Sequence, residues 1–252
     1  IYIMSKLWTF GCSYTAEYHP VQSMNINGTK NNYTLYREWL GGTLPDIWPT
    51  RLSKMLGMEV ENKGMGGASN DHIFGEFCDN CEFISKGDIV IVGWTQISRF
   101  RAAVYDERGL PKFMSVLPKM TTNVDTTSFM TTDVLDFLLV ERTDRLYVEE
   151  IYLREDVMEE LSKFKGFDIF FWSSDTELIY NEPSNFKNKR RYLCSDSVDD
   201  TITHLIRKKG AKKIEVETKG EVKDVHFGEI GHQIQAEVFY KEISEKLKPK
   251  LI

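Results

Sequence analysis

Asp88-Ile89-Val90-Ile91-Val92-Gly93 is an almost wholly apolar run bounded by turn residues. A central parallel strand, buried on both faces, reads this way. Outward from it, strands alternate with helical patterns. Upstream, residues 6–10 are strand-like, and residues 49–56 form a short helix that starts on proline and closes at Gly57. Residues 58–61 read as a second strand. The glycine-rich turn Asn62-Lys63-Gly64-Met65-Gly66-Gly67-Ala68-Ser69-Asn70 then enters a helix running to about residue 85, with Ser69 or Asn70 as its cap. Downstream, residues 132–165 have helical apolar spacing, with a break near Thr143-Asp144, and stop at Gly166. Residues 167–172 are a fourth buried strand, 196–209 a helix ended by Gly210, and 212–216 a weak further strand. Residues 229–247 are amphipathic, with Ile230, Ile234, Val238, Phe239, Ile243 and Leu247 on the apolar side. This alternation predicts an α/β fold: a three-layer α/β/α sandwich on a central parallel sheet of about five strands.

The chain's 252 residues fit a single domain, 1–252, with loop insertions near 16–47 and 102–131. The first insertion carries Tyr18, Tyr33, Tyr36 and Trp39, and long loops inside compact domains are usually functional. An apolar content of 41% supplies a real core. A net charge of −6 argues against a nucleic-acid or anionic-membrane surface. No run of about 18 apolar residues is present, so no membrane span is expected. The first residues enter a strand without signal-peptide architecture, which predicts a cytoplasmic or virion/assembly-associated location. Cys12, Cys78, Cys81 and Cys194 suit a reducing compartment. Cys78-Asp79-Asn80-Cys81 is a solitary CxxC inside a helical pattern, so buried thiols on a helix face are expected there and no metal site.

A parallel sheet brings its strand ends to one edge, where open sheets place their ligand crevice. Ser13 follows the first strand, the glycine turn the second, and Thr95-Gln96 the third, with Arg99 just beyond. Asp224-Val225-His226 precedes the last helix. A serine hydroxyl is a poor nucleophile unless a base lies within hydrogen-bond reach, and serine, histidine and carboxylate together perform acyl transfer. Arg99 suits a substrate anion held bidentately or an ordinary ion pair. The glycines also suit a phosphate, although their spacing is not that of a P-loop. His19, His72 and His204 have no comparable context.

These blocks resemble those of the SGNH (GDSL-type) hydrolase family along most of the chain. Gly11-Cys12-Ser13 resembles the family's Gly-Asp-Ser, and Asn62-Lys63-Gly64-Met65-Gly66-Gly67 matches Asn-x-Gly-x-x-Gly. Gly93-Trp94-Thr95-Gln96 partly matches Gly-x-Asn-Asp, while His226, Gly231 and Ala236 have the spacing of the last block. The resemblance implies a flavodoxin-like layout with Ser13 as nucleophile, His226 as base and Asp224 as its orienter. It also implies an oxyanion hole from the Ser13 and Gly67 N–H groups and a third donor, which is Thr95 by position and Asn70 by chemistry. Gln96 and Arg99 would touch substrate. The implied activity is a cofactor-free serine esterase removing an acyl group, acetyl being the candidate, from a carbohydrate or small molecule. Lys223 stands where the family has its carboxylate, and Glu229-Ile230-Gly231-His232 offers a rival pair. A non-catalytic glycan-binding or structural protein on the same fold is the alternative.

Overall fold

The run from Ile89 to Trp94 is a strand in which every residue is buried. A computed structural model describes residues 5–18, 32–95, 100–105, 111–116, 144–173, 191–193, 202–224 and 226–247. In chain order the elements are β1 (Lys6–Gly11), α1 (Asn32–Trp39), α2 (Trp48–Leu56), β2 (Glu59–Gly64), α3 (Asn70–Asn80) and β3 (Ile89–Trp94). Then follow β4 (Phe100–Tyr105), β5 (Pro111–Val116), α4 (Asp144–Lys165), β6 (Asp168–Ser173), α5 (Ile202–Lys208), α6 (Ile214–Glu217) and α7 (Glu229–Leu247).

Side chains alternate along the strands and so divide into two cores. Trp8, Phe10, Val90, Val92, Trp94, Ile169 and Phe171 face Ile73 and Phe77 of α3 and Val148, Ile151 and Met158 of α4. Leu7, Ile89, Ile91, Phe170 and Trp172 face α2, α5 and α7 through Trp48, Leu52, Ile206, Phe239 and Ile243. Each fully buried side chain of this kind contributes about 1.5–3 kcal/mol, so both helical layers are strongly held. The result is the expected three-layer α/β/α arrangement.

The sheet is parallel, with order β2-β1-β3-β6. Among the described residues it therefore has four strands where about five were expected, with Tyr192 adding a parallel bridge to Phe171 at the β6 edge. The shortfall lies at residues 212–216, where Ile214 and Val216 alternate as in a strand. The segment instead makes one bridge, between Lys213 and Phe227, and then turns into α6. Ile214 is buried there and Val216 points to solvent. The order places β2 on one side of β1 and β3 on the other. Such a reversal opens a crevice at the carboxyl end of β1.

Both insertions contain regular structure. Residues 32–39 of the first form α1, and part of the second forms the antiparallel pair β4–β5. The helix after the glycine turn stops at Asn80 rather than near residue 85. The Asp88 carboxylate accepts the Ser85 N–H at 2.9 Å, and Gly87 adopts φ 87°, which turns the chain into β3. Cys78 lies on the solvent side of this helix and is exposed, and Cys81, at its end, is half-buried; both are free thiols rather than buried on a helix face. No helix among the described residues is long and apolar enough to cross a membrane.

Candidate active site

Gly11 ends β1 where a side chain has no room: an added Cβ would lie 2.2 Å from Thr15 Oγ1. The Cys12 carbonyl accepts the N–H groups of Thr15 (2.8 Å) and Ala16 (3.0 Å), closing a tight turn. Cys12 is buried by that turn and Ser13 is left half-exposed. Asn62 ties the end of β2 to it. Its Oδ1 accepts Thr9 Oγ1 (2.9 Å) and the Gly64 N–H (3.0 Å), and its Nδ2 donates to Thr15 O (2.8 Å). A Cβ on Gly64 would sit 2.6 Å from both Ala16 N and Thr15 C. The Asn-x-Gly pattern is thus explained by one backbone passing close over another. Gly67, at φ 76°, lies in the exposed turn that follows. The N–H groups of Ser13 and Gly67 have no backbone partner among the described residues.

His226 comes from the loop before α7. Its Nε2 lies 2.7 Å from Ser13 Oγ and its Nδ1 2.5 Å from Asp224 Oδ1. These partners set the tautomer: Nδ1–H donates to the carboxylate and Nε2 accepts from the serine. Asp224 stands only two residues before His226, and a second bond makes that spacing work. The same Oδ1 accepts the His226 backbone N–H at 2.8 Å, an Asx-type turn that folds the carboxylate back beside the ring. Burial opposes ionisation of Asp224, yet the hydrogen bonds and charge of His226 outweigh it and hold the carboxyl below its usual range. The Tyr14 ring packs edge-on against the imidazole, with centroids 4.7 Å apart.

The loop is braced by α1. Asn32 Nδ2 donates to Lys223 O at 2.6 Å, and the Tyr36 hydroxyl donates to Glu217 at 3.0 Å. Tyr36, Ile214 and Val222 form a small buried nucleus between the two. The Tyr33 phenol is pushed up to about 12 by burial and then by the Asp224 charge, so it stays neutral beside the relay.

At the end of β3, Asn70 and Thr95 are both buried and face each other. Asn70 Oδ1 accepts the Thr95 N–H at 2.9 Å, and its Nδ2 donates to Thr95 O at 3.3 Å. The Asn70 amide is therefore engaged with the strand end. Ser69 caps α3, accepting the His72 N–H. Gln96, Arg99 and His19 lie outside the described residues. His72 sits 3.6 Å from Glu76 on α3. His232 is buried against Tyr18, while Glu229 pairs with Arg51 at 2.8 Å, so the rival pair is not assembled. Among the described residues, no group of three or more His, Cys, Asp or Glu side chains is placed to hold a metal ion.

The sequence reading passed over Asn32 and Glu155, and named Tyr36 only among the aromatics of the first insertion. Glu155 lies fully buried under the strand end, its Oε1 accepting Trp94 Nε1 (2.7 Å) and the Tyr192 hydroxyl (2.5 Å). Its spacing was the available signal, since Val148, Ile151, Glu155 and Met158 share one helical stripe.

No family model and no curated protein matches the chain. Among solved structures it is similar to one described as a lipolytic protein of the G-D-S-L family from Desulfitobacterium hafniense. The TM-score is 0.32 at 12% identity, over 94% of this chain and 99% of that one.

Proposed function

We propose that the chain is a serine ester hydrolase resembling the SGNH family, cleaving an acyl ester, acetyl first among candidates, on a carbohydrate or small molecule. The observation that carries this reading is the Ser13–His226–Asp224 relay, with spacings of 2.7 and 2.5 Å at the switch point of the sheet. Ser13 Oγ bonds to the acyl carbon as its proton passes to His226 Nε2. Asp224, ionised, stabilises the imidazolium through Nδ1–H. The Ser13 and Gly67 N–H groups receive the charge on the former carbonyl oxygen. The bond to the alcohol then breaks, and His226 returns the proton to the leaving oxygen. A water molecule repeats the sequence on the acyl-enzyme, releasing the acid and restoring Ser13. The third oxyanion donor is assigned to the Thr95 hydroxyl, with Asn70 fixing the Thr95 backbone.

A fluorophosphonate probe tests the nucleophile. Labelling and p-nitrophenyl acetate hydrolysis should both vanish in Ser13→Ala; hydrolysis unchanged in that variant sinks the assignment. Thr95 stands where the family has an asparagine, and the Asn70 amide is engaged with the Thr95 backbone, which favours a second reading as a glycan binder. Retention on immobilised glycan without any labelling would support that reading.

A further inference from the structure

The relay joins two segments that the sheet does not connect. Ser13 hangs from β1, whereas His226 lies on a loop before α7. Their separation depends on whatever ties the residues after Ser13 to those after His226. Such a tie passes through His232. Its Nε2 lies 2.9 Å from the Tyr18 hydroxyl, and its Nδ1 accepts the Trp48 N–H at 3.4 Å. The Trp48 indole donates onward to Tyr14 O at 2.8 Å. The backbone N–H of His232 donates to Gly228 O at 3.2 Å, two residues beyond His226. One buried imidazole is thus bonded to the nucleophile's segment and, through Trp48, to the residue beside the nucleophile.

The room around it is tight. A Cβ on Gly231 would lie 2.3 Å from Phe227 Cβ, so only glycine lets the first turn of α7 close against the loop. Since Nδ1 accepts, Nε2 carries the proton and donates to Tyr18. Burial, reinforced by the charges of Arg51 and His226, drives the imidazole down to about 3, so it stays neutral at working pH. Burial likewise keeps the Tyr18 phenol neutral.

We infer that His232 is a positioning residue of this site: the Tyr18–His232–Trp48 bridge holds the start of α7, and with it the His226 loop, at proton-transfer distance from the Ser13 turn. This role rests on the hydrolase reading above. His232 acts through other groups, with its ring nitrogens bonded to Tyr18 and Trp48.

Three substitutions in the full chain separate positioning from packing. Tyr18→Phe deletes only a hydroxyl, His232→Leu deletes both ring bonds, and His232→Gln keeps an N–H that reaches towards Tyr18. Tyr18→Phe and His232→Leu should each lower kcat and the rate of fluorophosphonate labelling about tenfold, with KM within about twofold, because misplacement of reacting groups acts on the chemical step. The double variant should lose no more than His232→Leu alone, since that variant already removes the Tyr18 bond. His232→Gln should keep at least about half of the wild-type rate, the partner's acceptor being retained. Amide exchange should rise together in residues 12–18 and 226–232. If His232→Leu does not fold, Tyr18→Phe and His232→Gln carry the comparison.

Variants that melt earlier but label and turn over like wild type overturn the role, as do losses that simply add. A wild-type protein whose Ser13 takes no label refutes the hydrolase reading instead. Amide exchange then still reports whether the bridge couples the two segments.

Discussion

Replacing Glu155 by Gln should remove a large pH dependence from the folding equilibrium. Glu155 is fully buried, and its Oε2 has no hydrogen-bond partner among the described residues. Burial is the main cause that pushes its carboxyl up to about 8 from 4.5; bonds from Tyr192 and Trp94 oppose it, and the charges of Glu159 and Asp156 add to it. Folded protein therefore keeps a proton that the unfolded chain releases above pH 4.5. The associated stability is fully present below the unfolded pKa and lost as pH rises towards 8. At about 1.4 kcal/mol per pH unit, the window is worth roughly 4–5 kcal/mol. Glutamine is neutral throughout and keeps an oxygen for Trp94 and Tyr192. Urea unfolding at pH 5, 7 and 9 reads the difference between the two proteins, in which titrations common to both cancel. The variant should gain on the wild type by about 1.4 kcal/mol per unit between pH 5 and 8, then run parallel to it. Curves parallel over the whole range would mean that Glu155 is ionised in the folded state, and the burial argument would fail.

Thr95→Val removes the hydroxyl assigned to the oxyanion and keeps the side-chain shape. The expected loss in kcat is about 10²–10³, read with p-nitrophenyl acetate at unchanged thermal stability, and an unaltered kcat moves the third donor elsewhere. Gly64→Ala sets a methyl against backbone atoms of Thr15 and Ala16, which cannot rotate away. It should cost about 1–3 kcal/mol in urea unfolding. Labelling of Ser13 should slow in the same variant, and wild-type values of both would show that the Asn62 turn does not set the nucleophile's place.

What the sequence reveals follows from how local each cause is. β3 is legible because a strand covered on both faces must be apolar throughout. Asn62 and Gly64 are legible because a close backbone approach demands their chemistry at fixed spacing. α1 was hidden. Its one buried residue, Tyr36, owes its burial to Ile214 and Val222 and its hydrogen bond to Glu217, 181 positions away. Nor does the spacing of Asp224 and His226 disclose that one carboxylate oxygen serves both the ring and the backbone N–H. Residues 212–216 misled for the opposite reason. Their alternation is local and strand-like, but the bonds from Thr218 N and Oγ1 to Ile214 O close a helical turn instead.

The two halves of the relay are held by different means. Ser13 inherits its place from the sheet, because β1 is paired on both sides and Asn62 binds the turn beyond it. Among the described residues, the loop carrying Asp224 and His226 has no strand pairing beyond the Lys213–Phe227 bridge. Backbone bonds from Ile214 N to His226 O (2.9 Å) and from Glu215 N to Asp224 O (3.0 Å) anchor it to the start of α6. Side chains add to them: Thr218 Oγ1 accepts the Val222 N–H at 3.1 Å, Asn32 holds Lys223 O, and Tyr36 holds Glu217. Gly228 closes the same packing, since a Cβ there would meet Glu217 Oε2 at 2.1 Å and the Tyr36 hydroxyl at 2.7 Å. A displacement of about 1 Å between reacting groups costs on the order of 10² in rate. The described helix of the first insertion therefore braces the loop that carries His226. Loosening Tyr36 acts on the distance from His226 to Ser13 and leaves the β1 turn where the sheet puts it.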